Sequence, residues 1–280
     1  MKLSIITVNL NNLDGLKRTI DSVVAQTFTD YEWIVIDGGS TDGSKELIEQ
    51  YADRFAYWCS EPDKGIYYAM NKGIAHASGE WLQFLNSGDW LYENDTLKKC
   101  FNTQHYGDIL YGNVVHVTSK GEKIVKFPQN IDFYFFINNF INHQASFSKR
   151  ELFQAHKFDE SLKIYADWAL CLDFLFEGKT FEHINQFISY YDFNGMSSNV
   201  TQMHIDEHNK ILFSFAEKNI PSYILDVKKV KDDLVLRNKY LEIDKLTKSH
   251  KSCKYIMNCT TKTIILLSGL LNKIEKIRSK

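Results

Sequence analysis

Hydrophobic and polar positions alternate in blocks along the first 120 residues, and these blocks predict strands separated by helices. Runs of β-branched and aromatic residues, typical of buried strands, stand at LSIITVNL, WIVID, YWCS and WLQFL. Between them apolar residues recur at helical spacing, first at Leu16, Ile20, Val23 and Val24. A β-α-β-α-β-α-β order predicts an α/β fold with a mostly parallel sheet and helices on both faces.

The pattern changes after residue 104. DILYGNVVHVT predicts another strand, and the aromatic segment DFYFFINNFINHQASFSKRELF shows no clear period. Further along, YADWALCLDFLFEG predicts a helix that begins at Asp167, with Trp168, Leu172, Leu175 and Phe176 on its apolar face. An N-cap role for Asp167 is compatible with any chemical role. Earlier in the chain, Ser40, Thr41 or Asp42 is the predicted N-cap of the helix in KELIEQYADRF.

The composition is that of a folded globular protein. With 280 residues, 44% hydrophobic and 14% aromatic, the chain is able to build a substantial core. The five cysteines are scattered without a CxxC pair, which disfavours a zinc site or a disulfide framework and fits a cytoplasmic protein. The N-terminal run is interrupted by asparagines, so it predicts a first strand and not a signal peptide.

Charge is divided unevenly along the chain, although the net charge is only −2. Residues 218–280 hold 15 basic and 6 acidic side chains, a balance of +9 that leaves −11 for residues 1–217. A basic C-terminal extension suits an anionic surface such as lipid headgroups. Its apolar run TIILLSGLL is too short to span a membrane and fits either an interfacial helix or a packing face. We expect peripheral contact with the inner face of the cell membrane, no nucleic-acid partner and scope for a homo-oligomer.

Polar, mostly acidic side chains follow four successive predicted strands. Because ligands of open α/β sheets bind at the carboxyl ends of the strands, these positions predict one binding crevice. The residues are Asn9 and Asn11, then Asp37, Gly38 and Gly39, then Glu61 and Asp63, and finally Asn86 and Asp89. Polar loops alone would explain part of this pattern.

The chemistry of the crevice is narrowed by what is absent. GxGxxG, GxxxxGK[ST] and GxSxG do not occur, which disfavours dinucleotide enzymes, P-loop NTPases and α/β-hydrolases. A carboxylate at Asp37 suits a base or ribose, and its two following glycines allow a ligand close to the backbone. A diphosphate in an acidic crevice needs a divalent metal, Mg²⁺ or Mn²⁺, and Asp89 is placed to bind it. Turn propensity alone would also explain NSGD.

Several motifs occur in an order that resembles the inverting family 2 glycosyltransferases of GT-A fold, of the type that builds bacterial surface polysaccharides. They are TVNLNN, EWIVIDGGSTDGS, EPDKGIYYAMNKGIAHASGEWLQFLNSGD and HQASFSKRELF with FDESLKIYADWALCLDF, within residues 1–200. The resemblance implies a nucleotide-diphosphate-sugar donor, usually UDP-linked, a divalent metal and a glycan or lipid-linked glycan acceptor. It predicts a glycosyltransferase domain over 1–217, with a donor half (1–115) and an acceptor half (116–217), and a helical extension over 218–280.

The resemblance also implies a role for individual residues. Asp89 matches the metal-binding carboxylate of the DxD-type signature, Asp167 matches the general base, and Asp37 matches the acid that contacts the base of the nucleotide. The remaining matches are listed by the side of the crevice on which the resemblance places them. Donor-side positions are Thr7, Asn9, Asn11, Gly38, Asp63, Lys64, Gly65, Asn71, Asn86, Ser87 and Gly88; acceptor-side positions are His143, Gln144 and Trp168.

The sequence departs from the family pattern at several of these motifs. Asn86 and Gly88 stand where many members carry acids, and Ala166 replaces the usual glutamate before the base. A metal would then have a single direct carboxylate. Two alternatives remain open on these residues: a sugar nucleotidyltransferase, whose usual glycine-rich basic loop is missing, and a catalytically silent protein that binds sugar nucleotides or glycans.

Overall fold

A computed structural model describes residues 1–193 and 202–219 of the chain. Its strands are β1 (Leu3–Asn9), β2 (Tyr31–Asp37), β3 (Tyr57–Ser60), β4 (Trp81–Phe84), β5 (Trp90–Leu91), β6 (Ile109–Thr118), β7 (Gly121–Val125), β8 (Ser146–Lys149) and β9 (Phe181–Asp192). Its α-helices are α1 (Leu13–Val24), α2 (Ser44–Gln50), α3 (Ile66–His76), α4 (Thr96–Cys100), α5 (Phe133–Asn138), α6 (Leu152–Ala155), α7 (Ala166–Phe176) and α8 (Gln202–Asn219).

The strands form one mixed sheet within residues 1–193, in the order β3-β2-β1-β4-β8-β6-β9-β5, with β7 paired to β6. β3, β2, β1 and β4 run parallel to one another. The direction changes at β8, which is antiparallel to both β4 and β6. The predicted α/β class with a parallel sheet is therefore confirmed, and antiparallel pairings extend it in the second half. The strand order reverses beside β1, so the crevice opens between the ends of β1 and β4.

Helices cover both faces of the parallel half. On one face α1 packs Leu16, Ile20 and Val23 against side chains of β1 and β2 in the main hydrophobic cluster. On the other face α3 crosses so closely that a Cβ on Gly73 would lie 2.5 Å from Cγ2 of Ile6. Glycine at this position therefore sets the distance between helix and sheet, which fixes where the start of α3 meets the crevice.

Three local predictions were wrong. Val24 and Phe176, assigned to buried helix faces, are 38% and 39% exposed because each lies at the last position of its helix, beyond the packed turns. The N-cap of α2 is Gly43, at φ +97°, while the side chain of Asp42 bonds the backbone N–H groups of Leu13 and Ser44. The helix predicted to begin at Asp167 begins one residue earlier, at Ala166, and its N-cap is Tyr165.

The aperiodic aromatic segment contains short elements that periodicity does not reveal: α5, a 3₁₀ turn at His143–Ala145, β8 and α6. The chain divides between Val200 and Thr201 into two units, of which the second is described only by α8. The predicted extension over 218–280 lies almost wholly outside the described residues, and its boundary stays a prediction. Among described residues, no helix is long and apolar enough to cross a membrane, and Cys59, Cys100 and Cys171 are free thiols.

Candidate active site

Asp37 joins the ends of three parallel strands. Asn9 Nδ2 donates to its Oδ1 at 2.7 Å, and Ser60 Oγ donates to its Oδ2 at 2.6 Å. Ser40 adds a hydroxyl donor at 2.6 Å and a backbone N–H at 2.9 Å. Burial raises the pKa of Asp37, but the hydrogen bonds from Ser40, Ser60 and Asn9 outweigh it and hold the pKa below its usual value. The carboxylate is fully buried and supports the crevice from beneath, and its contact with a base stays a prediction.

Two further residues predicted to bind the donor, Thr7 and Asn11, also make structural hydrogen bonds. Thr7 is fully buried in β1, where its hydroxyl accepts a hydrogen bond of 3.0 Å from Nε1 of Trp33. Asn11 adopts a positive φ of 47°, and its side-chain oxygen accepts the N–H of Thr41 at 2.9 Å. Thr7 therefore joins β1 to β2 inside the core, and Asn11 fixes the shape of the loops that follow these strands.

Gly38 lies at the open rim of this region. A Cβ at Gly38 would lie 2.7 Å from Oδ2 of Asp63 and 3.2 Å from Cδ1 of Leu10. Leu10, directly after a buried strand, is 55% exposed. Asp63 also accepts the N–H of Gly65 at 2.8 Å. The exposed side chain of Leu10 and the carboxylate of Asp63 thus both lie close to the backbone of Gly38. A larger residue at this position would block the space between them.

Two of the predicted donor-binding residues in and before α3 have different surroundings. Lys64 lies on the rim with its ammonium 5.6 Å from the ring centre of Tyr68. Asn71 faces the other way: its amide donates to the carbonyl of Phe158 at 2.9 Å and accepts the N–H of Phe158 at 3.0 Å. Asn71 therefore holds the loop before α7, which carries the predicted base.

The NSGD turn after β4 is held against α1 by two side chains that sequence reasoning missed. Thr19 accepts the N–H of Gly88 at 3.1 Å and donates to the carbonyl of Asp89 at 2.7 Å. Asn12 donates to the carbonyl of Ser87 at 3.0 Å. Gly88 has φ +104°, a conformation that other residues adopt at a cost. The turn is a rigid part of the crevice wall.

Asp89 is the carboxylate of this turn, and its side chain is nearly buried at 6% exposure. Its Oδ1 accepts the N–H of Asp192 at 3.0 Å. Burial raises the pKa of Asp89 to about 7, against the lowering effect of the His143 charge and the Asp192 N–H. A nearby divalent cation would favour the charged form and offset this cost.

The residues present fit a metal held mainly by substrate and water. Among the described residues, no group of three or more His, Cys, Asp or Glu side chains is arranged to hold an ion. Mg²⁺ commonly binds through one or two carboxylates together with substrate phosphates, and Asp89 would be the carboxylate in such an arrangement. A Lewis acid at this turn would neutralise charge on a departing diphosphate.

The predicted base lies across the crevice in contact with the predicted acceptor side. Nδ1 of His143 lies 3.0 Å from Oδ2 of Asp167, and Nε2 of the same ring lies 3.1 Å from Nδ2 of Asn86. The hydroxyl of Tyr67, another residue missed from sequence, donates to the carbonyl of Ile164 at 2.5 Å and lies 3.4 Å from Oδ1 of Asp167. Burial lowers the pKa of His143, but the hydrogen bond and charge of Asp167 raise it above its usual value.

Two predicted acceptor-side residues belong to the core instead of the crevice surface. Trp168 is 3% exposed and donates from Nε1 to the carbonyl of Phe136 at 2.9 Å. Gln144 is 1% exposed, and its carbonyl accepts Nε2 of Gln83 at 3.0 Å. These contacts fix the start of α7 and the 3₁₀ turn, which carry Asp167 and His143. A sugar contact of either side chain stays a prediction.

Comparison with known proteins identifies the family. Residues 4–155 match the model of glycosyl transferase family 2, and the chain belongs to this family. A PGL/p-HBAD biosynthesis glycosyltransferase of Mycobacterium bovis is 35% identical over 172 residues, which cover 59% of this chain and 66% of that protein. An uncharacterized glycosyltransferase of Mycobacterium tuberculosis is 54% identical over 88 residues, 31% of this chain and 34% of that protein. The chain therefore spans between about a third and two thirds of the length of these relatives.

Solved structures share the fold at low sequence identity. TarS of S. aureus in complex with UDP-GlcNAc aligns with a TM-score of 0.62 at 18% identity, over 84% of this chain and 70% of that one. A mannosyltransferase of Pyrobaculum calidifontis in complex with GDP-Man and Mn²⁺ aligns with a TM-score of 0.58 at 14% identity, over 94% and 80%. The predicted GT-A fold is confirmed, and family membership makes a glycosyltransferase the class of enzyme.

Proposed function

We propose that the protein transfers a sugar from a nucleotide-diphosphate donor, a UDP-sugar in the first instance, to a hydroxyl group of a glycan or lipid-linked glycan in surface polysaccharide biosynthesis. The observation that carries the proposal is the pairing of two carboxylates across one crevice, Asp167 at the start of α7 and Asp89 on the turn after β4, with His143 and Asn86 between them. One carboxylate suits a base and the other suits the cation of a diphosphate.

The reaction we propose is a single displacement with inversion. The oxygen of the acceptor hydroxyl forms a bond to the anomeric carbon while the bond from that carbon to the diphosphate breaks. The hydroxyl proton passes to Asp167, whose carboxylate is held by His143 at 3.0 Å. A positioned base of this kind contributes roughly 10² to 10⁴-fold to the rate. The leaving diphosphate departs with its electron pair on the side of Asp89. This carboxylate would hold a Mg²⁺ or Mn²⁺ ion, which would supply charge neutralisation there.

The donor side supports the same proposal through the chemistry of its rim. Backbone at Gly38, exposed Leu10 and the carboxylate of Asp63 together suit a flat heterocycle and its hydroxylated sugar. Lys64 adds a cation on the same side. TarS binds UDP-GlcNAc and the Pyrobaculum enzyme binds GDP-Man, which makes both nucleotides the donors to test first.

The acceptor is proposed from the relatives and from charge. A relative is named for PGL/p-HBAD biosynthesis, so acceptors of that biosynthesis belong in the test. The +9 balance of residues 218–280 suits anionic headgroups, so we propose that this extension holds the protein at the inner face of the membrane.

The test is a transfer and hydrolysis assay with a panel of UDP- and GDP-sugars, with Mn²⁺ and with EDTA. We expect turnover of at least one donor that depends on the metal and on Asp167. Nucleotide binding without turnover of any donor in the presence of glycan and lipid-linked acceptors would contradict the proposal and indicate a binding protein. Release of pyrophosphate from a nucleoside triphosphate and a sugar phosphate would indicate a nucleotidyltransferase.

A further inference from the structure

His143 lies between the two halves of the crevice and uses both of its ring nitrogens. Nδ1 contacts Oδ2 of Asp167 at 3.0 Å, and Nε2 contacts Nδ2 of Asn86 at 3.1 Å. These partners come from separate elements, the first turn of α7 and the turn after β4. The ring itself is fixed by the 3₁₀ turn His143–Ala145, whose first carbonyl also accepts the hydroxyl of Ser146 at 3.1 Å.

The partners determine the tautomer of the ring. An ionised carboxylate only accepts hydrogen bonds, so Nδ1 carries the proton and donates it to Asp167. The amide of Asn86 then donates to Nε2. Oδ1 of Asn86 is buried and has no hydrogen-bond partner among the described residues, so a rotated amide accepts equally well from a protonated ring. His143 therefore keeps both contacts in either protonation state.

The same contacts make the two oxygens of Asp167 unequal. Oδ2 accepts the imidazole N–H. Oδ1 lies 3.4 Å from the hydroxyl of Tyr67, whose single proton is already directed to the carbonyl of Ile164. Oδ1 therefore retains the stronger acceptor capacity, and it is the oxygen suited to receive the proton of an incoming hydroxyl.

We propose that His143 is the positioning residue of the catalytic base: its Nδ1–H fixes Oδ2 of Asp167, its Nε2 anchors on Asn86 of the donor turn, and Oδ1 of Asp167 is thereby presented to the acceptor hydroxyl. This inference rests on the proposed function and extends it, because it makes the orientation of the base depend on the turn that carries Asp89. The link joins donor side and base through one side chain.

The experiment compares His143→Asn and His143→Gln, each of which replaces one ring nitrogen by an amide nitrogen, with His143→Ala, which replaces neither. His143→Asn places an amide N–H near the position of Nδ1, whereas His143→Gln extends the amide one bond further, toward Nε2. We expect kcat to fall about 10 to 100-fold in His143→Gln and His143→Ala, the range for a displaced reacting group. It should fall less in His143→Asn, which keeps an N–H toward Asp167 and loses only the anchor on Asn86. The KM of the donor should change by a smaller factor than kcat, because the ring contacts the predicted base directly and the donor turn through the side chain of Asn86.

The pH profile separates positioning from general support of the fold. Charged and titratable groups around Asp167 are His143, the Tyr67 hydroxyl, the Cys171 thiol and, through its charge on His143, Asp89. Within the part of the chain that the structure describes, His143 lies 3.0 Å from the carboxylate, against 3.4 Å for the Tyr67 hydroxyl. The loss of this contact in His143→Gln should therefore move the acid limb of the kcat profile to higher pH, while His143→Asn should leave the limb in place.

The matched control is His156→Ala, which removes a histidine paired with Glu177 at 3.0 Å outside the crevice. It should leave kcat and the acid limb unchanged. Equal kcat and equal acid limbs in the Asn and Gln variants would overturn the positioning role, as would a loss of kcat in the control as large as in His143→Gln.

A readout without turnover distinguishes this inference from the proposed function. In ¹⁵N-histidine NMR of the whole protein, His143 should show the Nδ1–H tautomer, and Asp167→Asn should shift its signals while His156 stays unchanged. A protein that transfers no sugar but shows this coupling would refute the activity and keep the pairing. A Nε2–H tautomer, or signals that ignore Asp167→Asn, would refute the pairing whether or not the protein transfers sugar.

Discussion

The backbone N–H of Asp192 donates a 3.0 Å hydrogen bond to Oδ1 of Asp89, joining the last residue of β9 to the donor turn. The same residue carries a carboxylate that pairs with Arg18 of α1 at 2.7 Å. The turn is therefore held from two sides, by α1 through Thr19 and by β9 through Asp192. Because Thr19 bonds backbone groups of Gly88 and Asp89, and asparagine keeps an oxygen for the Asp192 N–H, an Asp89→Asn substitution tests chemistry more than folding.

Asp89→Asn should remove metal-dependent nucleotide binding while preserving the turn. Asparagine keeps the oxygen that accepts the Asp192 N–H but loses the charge that attracts a cation. We expect UDP affinity in Mn²⁺ to fall by at least about tenfold, the loss seen when even outer partners of a metal site are removed, and affinity in EDTA to stay the same. Calorimetry measures both values. Asp21→Asn, an exposed acid on α1, is the control, and unaltered Mn²⁺/UDP affinity in Asp89→Asn would contradict the assignment.

Asp167→Asn should separate chemistry from donor binding. The amide cannot accept a proton from a hydroxyl, so we expect kcat to fall about 10² to 10⁴-fold. Donor affinity should remain close to that of the wild type, because Asp167 contacts His143 and Tyr67 on the acceptor side. Steady-state kinetics together with UDP calorimetry make the measurement. Asp173→Asn on the same helix is the control; weakened donor binding at unchanged turnover would refute the base assignment.

The ends of the strands could be predicted from the sequence, but the directions in which the side chains point could not. Asp37 and Asn86 do stand at the ends of strands that open on one crevice, because hydrophobic runs mark buried parallel strands. Such runs carry no alternation, so they do not show that Thr7 faces the indole of Trp33 inside the core. The family resemblance likewise carries a position but not its exposure, and Trp168 is buried.

Contacts between residues far apart in the chain could not be predicted either, because sequence patterns report local preferences. Asp192 reaches Asp89 across 103 positions, and no local propensity depends on such a pair. The segment around His143 folds into short elements that tertiary packing stabilises, so hydrophobic periodicity gives no signal there. The order of the motifs did predict the family, because it depends on the first 200 residues together and not on one local pattern.

Asp37→Asn should destabilise the fold. Both oxygens of Asp37 accept hydrogen bonds, and the donors are Asn9, Ser40 and Ser60. In asparagine an NH₂ group replaces one of these oxygens, so two hydrogen-bond donors would face each other at that position. Hydrogen bonds to charged groups are worth roughly 1.5 to 3 kcal/mol, so we expect the free energy of unfolding to fall by about 2 to 3 kcal/mol in urea denaturation. Asp53→Asn, an exposed acid, should change it by less than about 0.5 kcal/mol. Equal stability of the two variants would contradict the supporting role.

The same carboxylate should give the protein a specific acid sensitivity. Hydrogen bonds hold the pKa of folded Asp37 below the value of about 3.9 expected in the unfolded chain. Its stabilisation is therefore fully present above that value and is lost as pH falls through the lower pKa of the folded state. We expect the stability difference between wild type and Asp37→Asn to be constant from pH 5 to 7 and to shrink below about pH 4. A difference that grows on acidification would show the opposite sign of the pKa shift.

Charge in the C-terminal extension should control binding to anionic membranes. Each lysine or arginine near such a surface contributes about 1 kcal/mol, so neutralising Lys273, Lys276, Arg278 and Lys280 to glutamine in the full chain should weaken binding by well over tenfold. Co-sedimentation with vesicles of mixed phosphatidylcholine and phosphatidylserine measures this, and neutral vesicles should bind neither form. A control variant neutralises exposed lysines in the first unit: Lys45, Lys98, Lys120 and Lys123. If both variants lose the same amount, net charge and not the extension is responsible; if neither loses binding, the membrane contact proposed for residues 218–280 is wrong.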